Sequence, residues 1–309
     1  MTEGFDFNEA DIDVMLANLD SFSEEEVVEI DRMVDELSTR SKNKRAYDDL
    51  IEFCKLMMPD FIVGKHHRIL ADLLMGIESG EKDRICVNIP PRHGKSQLVS
   101  IFFPAWFLGR NPDKKVMMVS HTTDLAVDFG RKVRNLIALD AYRSIFPTVK
   151  LAQDSKSAGR WNTNVGGEYY ACGIGSALAG RGADLLLVDD PHSEQDVING
   201  NFGVFEKAYE WFTFGARTRL MPHGAVAIIQ TRWHLDDLTG RVVRDMGKNE
   251  RADQYDVVEF PAILDVLDKK TEKTVQKPLW PEFFDLEALL RTKASMPVFQ
   301  WNSQYQQQP

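Results

Sequence analysis

The stretch IPPRHGKSQLVS (89–100) decides the fold that the sequence predicts. It overlaps the end of the apolar run ICVNI (85–89) and leads into an amphipathic helical pattern. A buried strand that passes through a tight loop into a helix is the setting of a phosphate-binding loop, where backbone N–H groups bind phosphate oxygens. In such a loop Gly94 lets the backbone approach the ligand, Lys95 reaches the β- and γ-phosphates, and the Ser96 hydroxyl binds Mg²⁺. The stretch predicts a P-loop site for ATP and Mg²⁺.

The predicted loop departs from the usual P-loop pattern at its first position. The usual pattern opens with glycine five residues before Gly94, where this chain has Ile89. Arg92 lies inside the turn, where its guanidinium would face the nucleotide and sense the γ-phosphate; the alternative is a surface arginine paired with an acidic residue. The residues that we expect to contact the nucleotide in this loop are Pro91, Arg92, His93, Gly94, Lys95, Ser96 and Gln97.

A second apolar run, LLLV (185–188), ends in the adjacent carboxylates Asp189 and Asp190. Adjacent residues on a strand point in opposite directions. We therefore predict that Asp189 holds the Mg²⁺ shell, while Asp190 turns toward the γ-phosphate and polarises the attacking water. An acidic pair that caps a helix is the alternative interpretation. With Lys95 and Arg92, Asp190 is a predicted catalytic residue.

The run AVAIIQ (225–230) predicts another strand, whose end delivers Gln230 and Thr231 to the edge where open α/β sheets bind their ligands. Polar groups at this edge can respond to the γ-phosphate, so these two residues are predicted to couple hydrolysis to movement. Arg232 and His234 are further candidates for the same role, and Trp233 is assigned to packing.

Apolar β-rich runs alternate with helical patterns along the body of the chain. These runs lie at 85–89, 115–120, 183–189, 225–230 and 255–260. Continuous apolar strands separated by helices predict a mainly parallel sheet covered by helices on both faces, the α/β class. Residues 160–164 and 168–174 flank Gly166-Gly167 and predict a hairpin, and residues 47–58 and 66–77 predict helices.

The chain divides into three predicted regions. Residues 1–45 form an acidic helical arm, in which Ser23 and Glu26 fit a capping box; we expect the arm to pack on the body, and docking to a partner protein is the alternative. Residues 41–44 are interpreted as a linker. Residues 46–260 form the P-loop core, and residues 261–309, which are rich in proline, form a small C-terminal lid subdomain.

Composition and charge leave few other classes open. The three cysteines are scattered and are expected to be reduced and buried. No apolar run is long enough to cross a membrane and no secretory signal precedes the body, so we expect a protein of the cytosol. The net charge is −10, but residues 1–36 carry thirteen acids and one base, so the rest of the chain is near neutral. The overall charge therefore neither supports nor excludes a nucleic-acid partner.

Four stretches together resemble the large terminase family of tailed phages, the DNA-packaging motors. In one branch of that family the loop reads PPRHGKS, as at 90–96 here, without the opening glycine. The other similar stretches are HHRILADLLMGIESGEKDRICVNI (66–89), GSALAGRGADLLLVDDPHS (175–193) and IIQTRWHLDDLTGRV (228–242). The similarity runs in order from about residue 60 to the C-terminus.

The resemblance implies a P-loop NTPase fold of the additional-strand, RecA-like type. It also implies a homo-oligomeric ring at the portal of the procapsid, in the host cytoplasm, where each subunit hydrolyses ATP to drive double-stranded DNA into the capsid. The implied partners are the portal protein and the small terminase subunit. Arg181 is then the arginine finger offered to a neighbouring subunit, and His66 or His67 occupies the adenine-side position, with His67 the predicted nucleotide contact.

Two departures limit what the resemblance implies. Many relatives end the carboxylate strand in Asp-Glu, whereas this chain has Asp189-Asp190. Full large terminases also carry a C-terminal nuclease, and this chain stops at WNSQYQQQP (301–309), where that domain would begin. We therefore expect no DNA cleavage by this chain alone.

Two other functions remain open from sequence. One is a helicase-like or recombinase-like DNA-dependent ATPase, and the other is a non-catalytic nucleotide-binding module that only assembles. Two basic sets are candidates for DNA contact, or else form a solvated face that balances nearby acids such as Asp128. The sets are Arg131, Lys132 and Arg134, and Lys207, Arg217 and Arg219.

Overall fold

The computed structural model describes residues 22–155, 157–198, 200–269 and 272–309. Residues 1–21, the first part of the predicted acidic arm, lie outside these ranges. The described residues form a seven-stranded sheet and a separate two-stranded hairpin. The strands are β1 (Arg84–Asn88), β2 (Lys115–Ser120), β3 (Arg160–Asn162), β4 (Glu168–Gly173), β5 (Ala183–Asp189), β6 (Leu220–Gln230), β7 (Asp256–Glu259), β8 (Ile263–Asp268) and β9 (Lys273–Pro278).

The large sheet has the order β3-β4-β2-β5-β6-β1-β7. Neighbouring strands are parallel, except that β3 and β4 form the predicted antiparallel hairpin. The central strands are apolar throughout because both faces of the sheet are covered, as in β5, where residues 185–189 are all buried. The α/β fold class with a mainly parallel sheet is confirmed.

Helices connect the strands and cover the sheet. They are α1 (Glu24–Asp48), α2 (Leu50–Met57), α3 (Lys65–Ser79), α4 (Phe103–Arg110), α5 (Thr123–Ile137), α6 (Asp140–Ile145), α7 (Glu194–Ile198), α8 (Gly203–Glu210), α9 (Leu238–Lys248), α10 (Leu286–Ala294) and α11 (Val298–Gln300). A π-helical segment, Gln97–Phe102, joins the predicted phosphate-binding loop (residues 89–96, called the phosphate loop below) to α4. Within the described ranges, no helix is long and apolar enough to cross a membrane.

Alternate residues of the strands enter two separate hydrophobic cores. On β1, Ile85 and Val87 join the core that includes α2 to α5, whereas Cys86 joins the core that includes α9. This alternation follows from the two-residue period of a strand. Cys54, Cys86 and Cys172 are all free and buried, as predicted.

The predicted linker at 41–44 is wrong. These residues are part of α1, which begins at the predicted capping box of Ser23 and Glu26 and runs through Asp48. Asp49 then leaves helical geometry, and its side chain accepts a hydrogen bond from the backbone N–H of Glu52. The break between the first two helices is therefore set by this N-cap and not by the polar segment before it.

Some residues of the C-terminal region 261–309, which is predicted to be a lid subdomain and is called the C-terminal subdomain below, share a small core of their own. That core contains Ala262, Ile263, Leu289 and Trp301. The helices of the subdomain and the hairpin β8–β9 follow β7 in the chain. Its contacts with the body include the phosphate loop, the end of β6 and the main core, which Leu279 joins. Residues 261–309 therefore touch both parts of the site described next.

Candidate nucleotide site

Three strands bring the predicted site residues to one edge of the sheet. β6 lies between β1 and β5, and Asn88 is level with Gln230 while Asp189 is level with Ile229. The loop after β1, the carboxylates of β5 and the end of β6 therefore meet at the carboxyl edge. This is the edge where open α/β sheets bind ligands.

The phosphate loop is supported from below by two buried histidines. His66 and His67 each place Nε2 3.0 Å from the carbonyl oxygen of His93, and because a carbonyl can only accept, both rings donate. Nδ1 of His67 accepts the backbone N–H of Gly64 at 3.0 Å. Burial lowers the pKa of His66, His67 and His93 to about 4, so these rings are neutral near pH 7.

Gly94 is required in this loop for two reasons. Its φ is 77°, in the left-handed region that favours glycine. A Cβ at this position would also overlap Nε2 of His67 and lie 2.9 Å from its Cε1. Arg92 also has a positive φ of 62°, which is unusual for a residue with a side chain. The loop therefore has left-handed backbone at two positions, of which glycine at 94 favours this conformation and arginine at 92 does not.

Lys95 and Asp190 form an ion pair across the site, with Nζ 2.8 Å from Oδ2. The other oxygen of Asp190 accepts the backbone N–H of Thr231 at 2.9 Å. Burial acts to lower the pKa of Lys95, but the charges of Asp190 and Asp189 outweigh it and the pKa is raised. Lys95 is therefore charged at neutral pH, and Asp190 connects it to the end of β6.

Asp189 is buried beside the helix that follows the loop. Its Oδ2 accepts the Ser100 hydroxyl at 2.6 Å, while Oδ1 is buried with no hydrogen-bond partner among the described residues. Burial and the neighbouring Asp190 raise the pKa of Asp189 to about 6. An unpaired buried carboxylate oxygen is costly, and a cation would satisfy it. This oxygen and the Ser96 hydroxyl, the ligands predicted for Mg²⁺, fit that ion, which otherwise keeps phosphate and water ligands.

The end of β6 carries a buried polar network. Gln230 is fully buried, and within the described part of the chain neither atom of its side-chain amide has a hydrogen-bond partner. Arg232 is 8% exposed and binds Asp237 through Nε at 2.9 Å. Its backbone N–H donates to Gln307 at 3.2 Å, and its carbonyl accepts the Ser303 hydroxyl at 2.9 Å. The strand end is thus tied to the C-terminal subdomain.

An open groove of about 760 Å³ lies over the phosphate loop. It is lined by residues of the segments 58–62 and 280–284 and by residues of the loop, including Arg92, Lys95 and Ser96. The volume is in the range of about 300–1,000 Å³ typical of small-molecule sites. Arg92 is exposed in this groove, and no acidic residue pairs with it within the described ranges.

Two predicted site residues lie away from this groove. His67 is 0% exposed and lies beneath the loop, so in this structure it supports the loop and does not face the adenine side. Arg181 precedes β5 and binds Glu168, the first residue of β4, at 3.3 Å. Arg181 and Glu168 are therefore at the amino edge of the sheet. At about 3.3 Å per strand residue, this edge is roughly 20 Å from Asp190. Arg181 therefore cannot complete the site of its own chain.

Three of the six basic candidates for DNA contact are paired with acids. Arg131 and Lys132 bind Asp128 at 3.1 and 2.8 Å, and Arg217 binds Asp253 through two nitrogens. Arg134 also has a partner. For Arg131, Lys132 and Arg217 the interpretation as a charge-balanced face agrees with the structure.

Two groups that shape the site, Ser100 and the aromatic residues of segment 280–284, were not predicted from the sequence, and the role of a third, His66, was predicted differently. Ser100 lies one helical turn after Ser96, a spacing that could have indicated a second hydroxyl on the same face. His66 was considered only as a nucleotide contact. The aromatic residues of segment 280–284 carried no motif, and their proximity to the loop could not be read from the sequence.

Comparisons with known proteins show which family the chain resembles. A family model described as the terminase large subunit, T4likevirus-type, N-terminal, matches residues 86–289. The large terminase of bacteriophage HK97 is similar in structure at a TM-score of 0.52 and 14% identity, covering 81% of this chain and 52% of that one. The ATPase domain of the large terminase of Thermus phage P74-26 gives a TM-score of 0.45 at 14% identity, covering 76% of this chain and 92% of that one.

The large terminase of the thermophilic bacteriophage D6E, in complex with ATP-gamma-S, gives a TM-score of 0.41 at 8% identity, covering 74% of this chain and 50% of that one. No curated protein matches. The chain spans about half the length of the HK97 terminase, whose likeness shows the fold. Because the family model covers more than half of the chain, the chain belongs to the T4likevirus-type terminase large-subunit family and matches its N-terminal part.

Proposed function

We propose that this chain hydrolyses ATP as the motor part of a phage large terminase and moves double-stranded DNA into a procapsid. The observation that carries the proposal is the convergence of Lys95, Asp190 and the unpaired Oδ1 of Asp189 at one sheet edge beneath an open groove. A cation, a metal-binding oxygen and a carboxylate for water are the groups that phosphoryl transfer requires. Membership of the terminase family supports the coupling to DNA.

Asp190 has two roles in this proposal. Without nucleotide it neutralises Lys95, and a triphosphate on the loop competes for the same ammonium group. Asp190 then stays bound to the N–H of Thr231 and is free to orient the attacking water. Ser96 and Asp189 would hold Mg²⁺, which neutralises phosphate charge when bound. Arg92, exposed and without an acidic partner in the described ranges, is free to contact the γ-phosphate.

Coupling to movement runs through the end of β6. A shift of Asp190 pulls on the backbone of Thr231, and the next residue, Arg232, is bound at both backbone groups by Ser303 and Gln307. The buried amide of Gln230 lies on the same strand end. The C-terminal subdomain therefore receives the change at the carboxylate through two residues of backbone.

The remaining parts of the proposal come from the family. Arg181, remote from its own site, would act as the finger of a neighbouring subunit in a homo-oligomeric ring. The ring would assemble at the portal vertex in the host cytoplasm, with the portal protein, the small subunit and double-stranded DNA as partners.

Phosphate release by Asp190→Asn tests the proposal. Loss of a group that polarises the attacking water lowers turnover by about 10²- to 10⁴-fold, while ATP still binds to the loop. The matched control is Asp184→Asn, a carboxylate at the other end of β5 that binds Lys114. If the wild-type chain releases no phosphate with Mg²⁺, DNA and portal present, the non-catalytic module is correct. ATP-dependent separation of a DNA duplex would instead favour the helicase-like alternative.

A further inference from the structure

Exposed apolar side chains collect beside the phosphate loop. Met58, Ile62 and Phe283 are 38%, 43% and 53% exposed, and all three line the groove. Met58 and Ile62 come from the segment 58–62, and Phe283 comes from the aromatic segment 280–284. A large apolar side chain exposed next to a polar site is the kind of surface that takes a ligand.

The aromatic segment is held firmly in place. The Phe283 ring stacks on Trp280, with centroids 4.5 Å apart and an interplanar angle of 18°. Trp280 is 5% exposed and packs edge to face on His67 at 4.8 Å. Phe284 stacks on His93 at 5.0 Å. His67 also binds the carbonyl of His93. The aromatic platform, formed by Trp280, Phe283 and Phe284, and the loop therefore pack on the same two histidines.

The groove is continuous from this platform to Lys95 and Ser96. A ligand that fills the groove therefore needs an anionic group at one end, next to Lys95, and a flat apolar group at the other end, next to Phe283. A nucleoside triphosphate has both, and base–aromatic stacking is a common mode of base recognition.

We propose that Phe283, backed by Trp280, binds the purine base of the nucleotide by stacking in the groove that Met58 and Ile62 also line. The inference rests on the proposed nucleotide function and assigns the base-binding surface to the C-terminal subdomain. ATP bound in this way joins the loop to that subdomain. Stacking depends on ring area, so ATP and GTP bind more tightly than CTP and UTP.

The test is calorimetric titration with Mg²⁺ of wild type, Phe283→Ala and Phe283→Trp. The ligands are ATP, CTP and inorganic tripolyphosphate, which carries the anionic end without a base. Phe283→Ala should weaken ATP binding about tenfold or more, because stacking on an aromatic ring contributes on that scale. Tripolyphosphate binding should be unchanged, and Phe283→Trp should keep the ATP affinity.

The matched control is Phe299→Ala, since Phe299 is 63% exposed in the same subdomain and does not line the groove. The base site is overturned if Phe283→Ala leaves ATP binding unchanged, weakens ATP and tripolyphosphate alike, or has no larger effect than Phe299→Ala. Failure of the proposed function is distinct from this: the wild-type chain would then bind neither ATP nor tripolyphosphate.

Discussion

Replacing Gly94 by alanine tests whether the histidines beneath the loop hold its shape. The new Cβ would overlap Nε2 of His67, which is fully buried and cannot move without losing its hydrogen bonds to His93 and Gly64. Gly80 offers a matched control, because its φ is also 77° but nothing lies within 4 Å of its added Cβ. The two variants share the backbone strain and differ in the clash.

The expected costs can be separated. A residue with a side chain in the left-handed region costs about 1–2 kcal/mol, and both variants carry this cost. Gly94→Ala also breaks two buried hydrogen bonds, each worth about 0.5–1.5 kcal/mol, with about 1–3 kcal/mol for any group left unpaired. We therefore expect Gly94→Ala to lower the free energy of unfolding by about 2–6 kcal/mol more than Gly80→Ala does.

Urea denaturation of both variants measures the free energy of unfolding, and a nucleotide titration measures binding. Gly94→Ala should weaken ATP binding because the loop changes shape, and Gly80→Ala should not. Adding His67→Ala to Gly94→Ala removes the clash and should recover part of the lost stability. Equal destabilisation by the two glycine variants would refute the reasoning, since the clash with His67 would then contribute nothing.

Two further predictions concern the finger and the pH response. Arg181→Ala should lower turnover in the assembled motor and leave ATP affinity nearly intact, with Arg160→Ala, which binds the same Glu168 at 3.2 Å, as the unaffected control; a large loss of ATP affinity would contradict the assignment. Stability should fall between pH 7 and 5, because the buried histidines of the loop support (His66, His67 and His93) have pKa values near 4 and take up protons near 6.5 only when unfolded. Protonation of each histidine in the unfolded chain lowers the free energy of unfolding at pH 5 by up to about 2 kcal/mol. Asp189, whose pKa is raised by burial, acts in the opposite direction and restores about 1 kcal/mol. Urea denaturation at the two pH values measures this, and equal or greater stability at pH 5 would contradict it.

The fold was largely predictable because its signals are local. Apolar runs such as LLLV (185–188) are typical of buried strands covered on both faces, and glycine in the turn before Lys95 reflects a backbone conformation that other residues avoid. The linker at 41–44 was wrong for a related reason. Polar composition does not stop a helix, and the N-cap at Asp49 does.

The site was predictable only in its outline. Lys95, Asp189 and Asp190 follow strand ends, and parallel strands bring their ends to one edge. Their partners could not be predicted in the same way. Ser100 and Asp189 are 89 residues apart in the chain, and Arg232 and Gln307 are 75 apart, so no periodicity links them.

The sequence by itself determined which chemical groups reach the carboxyl edge of the sheet, because strand period and loop chemistry are properties of short segments. Only the tertiary structure decided what surrounds those groups. It placed His67 beneath the loop and Phe283 beside it, and it put Arg181 at the opposite edge. These positions depend on the packing of segments far apart in the chain, where shape and burial, and not local propensity, set which side chains meet.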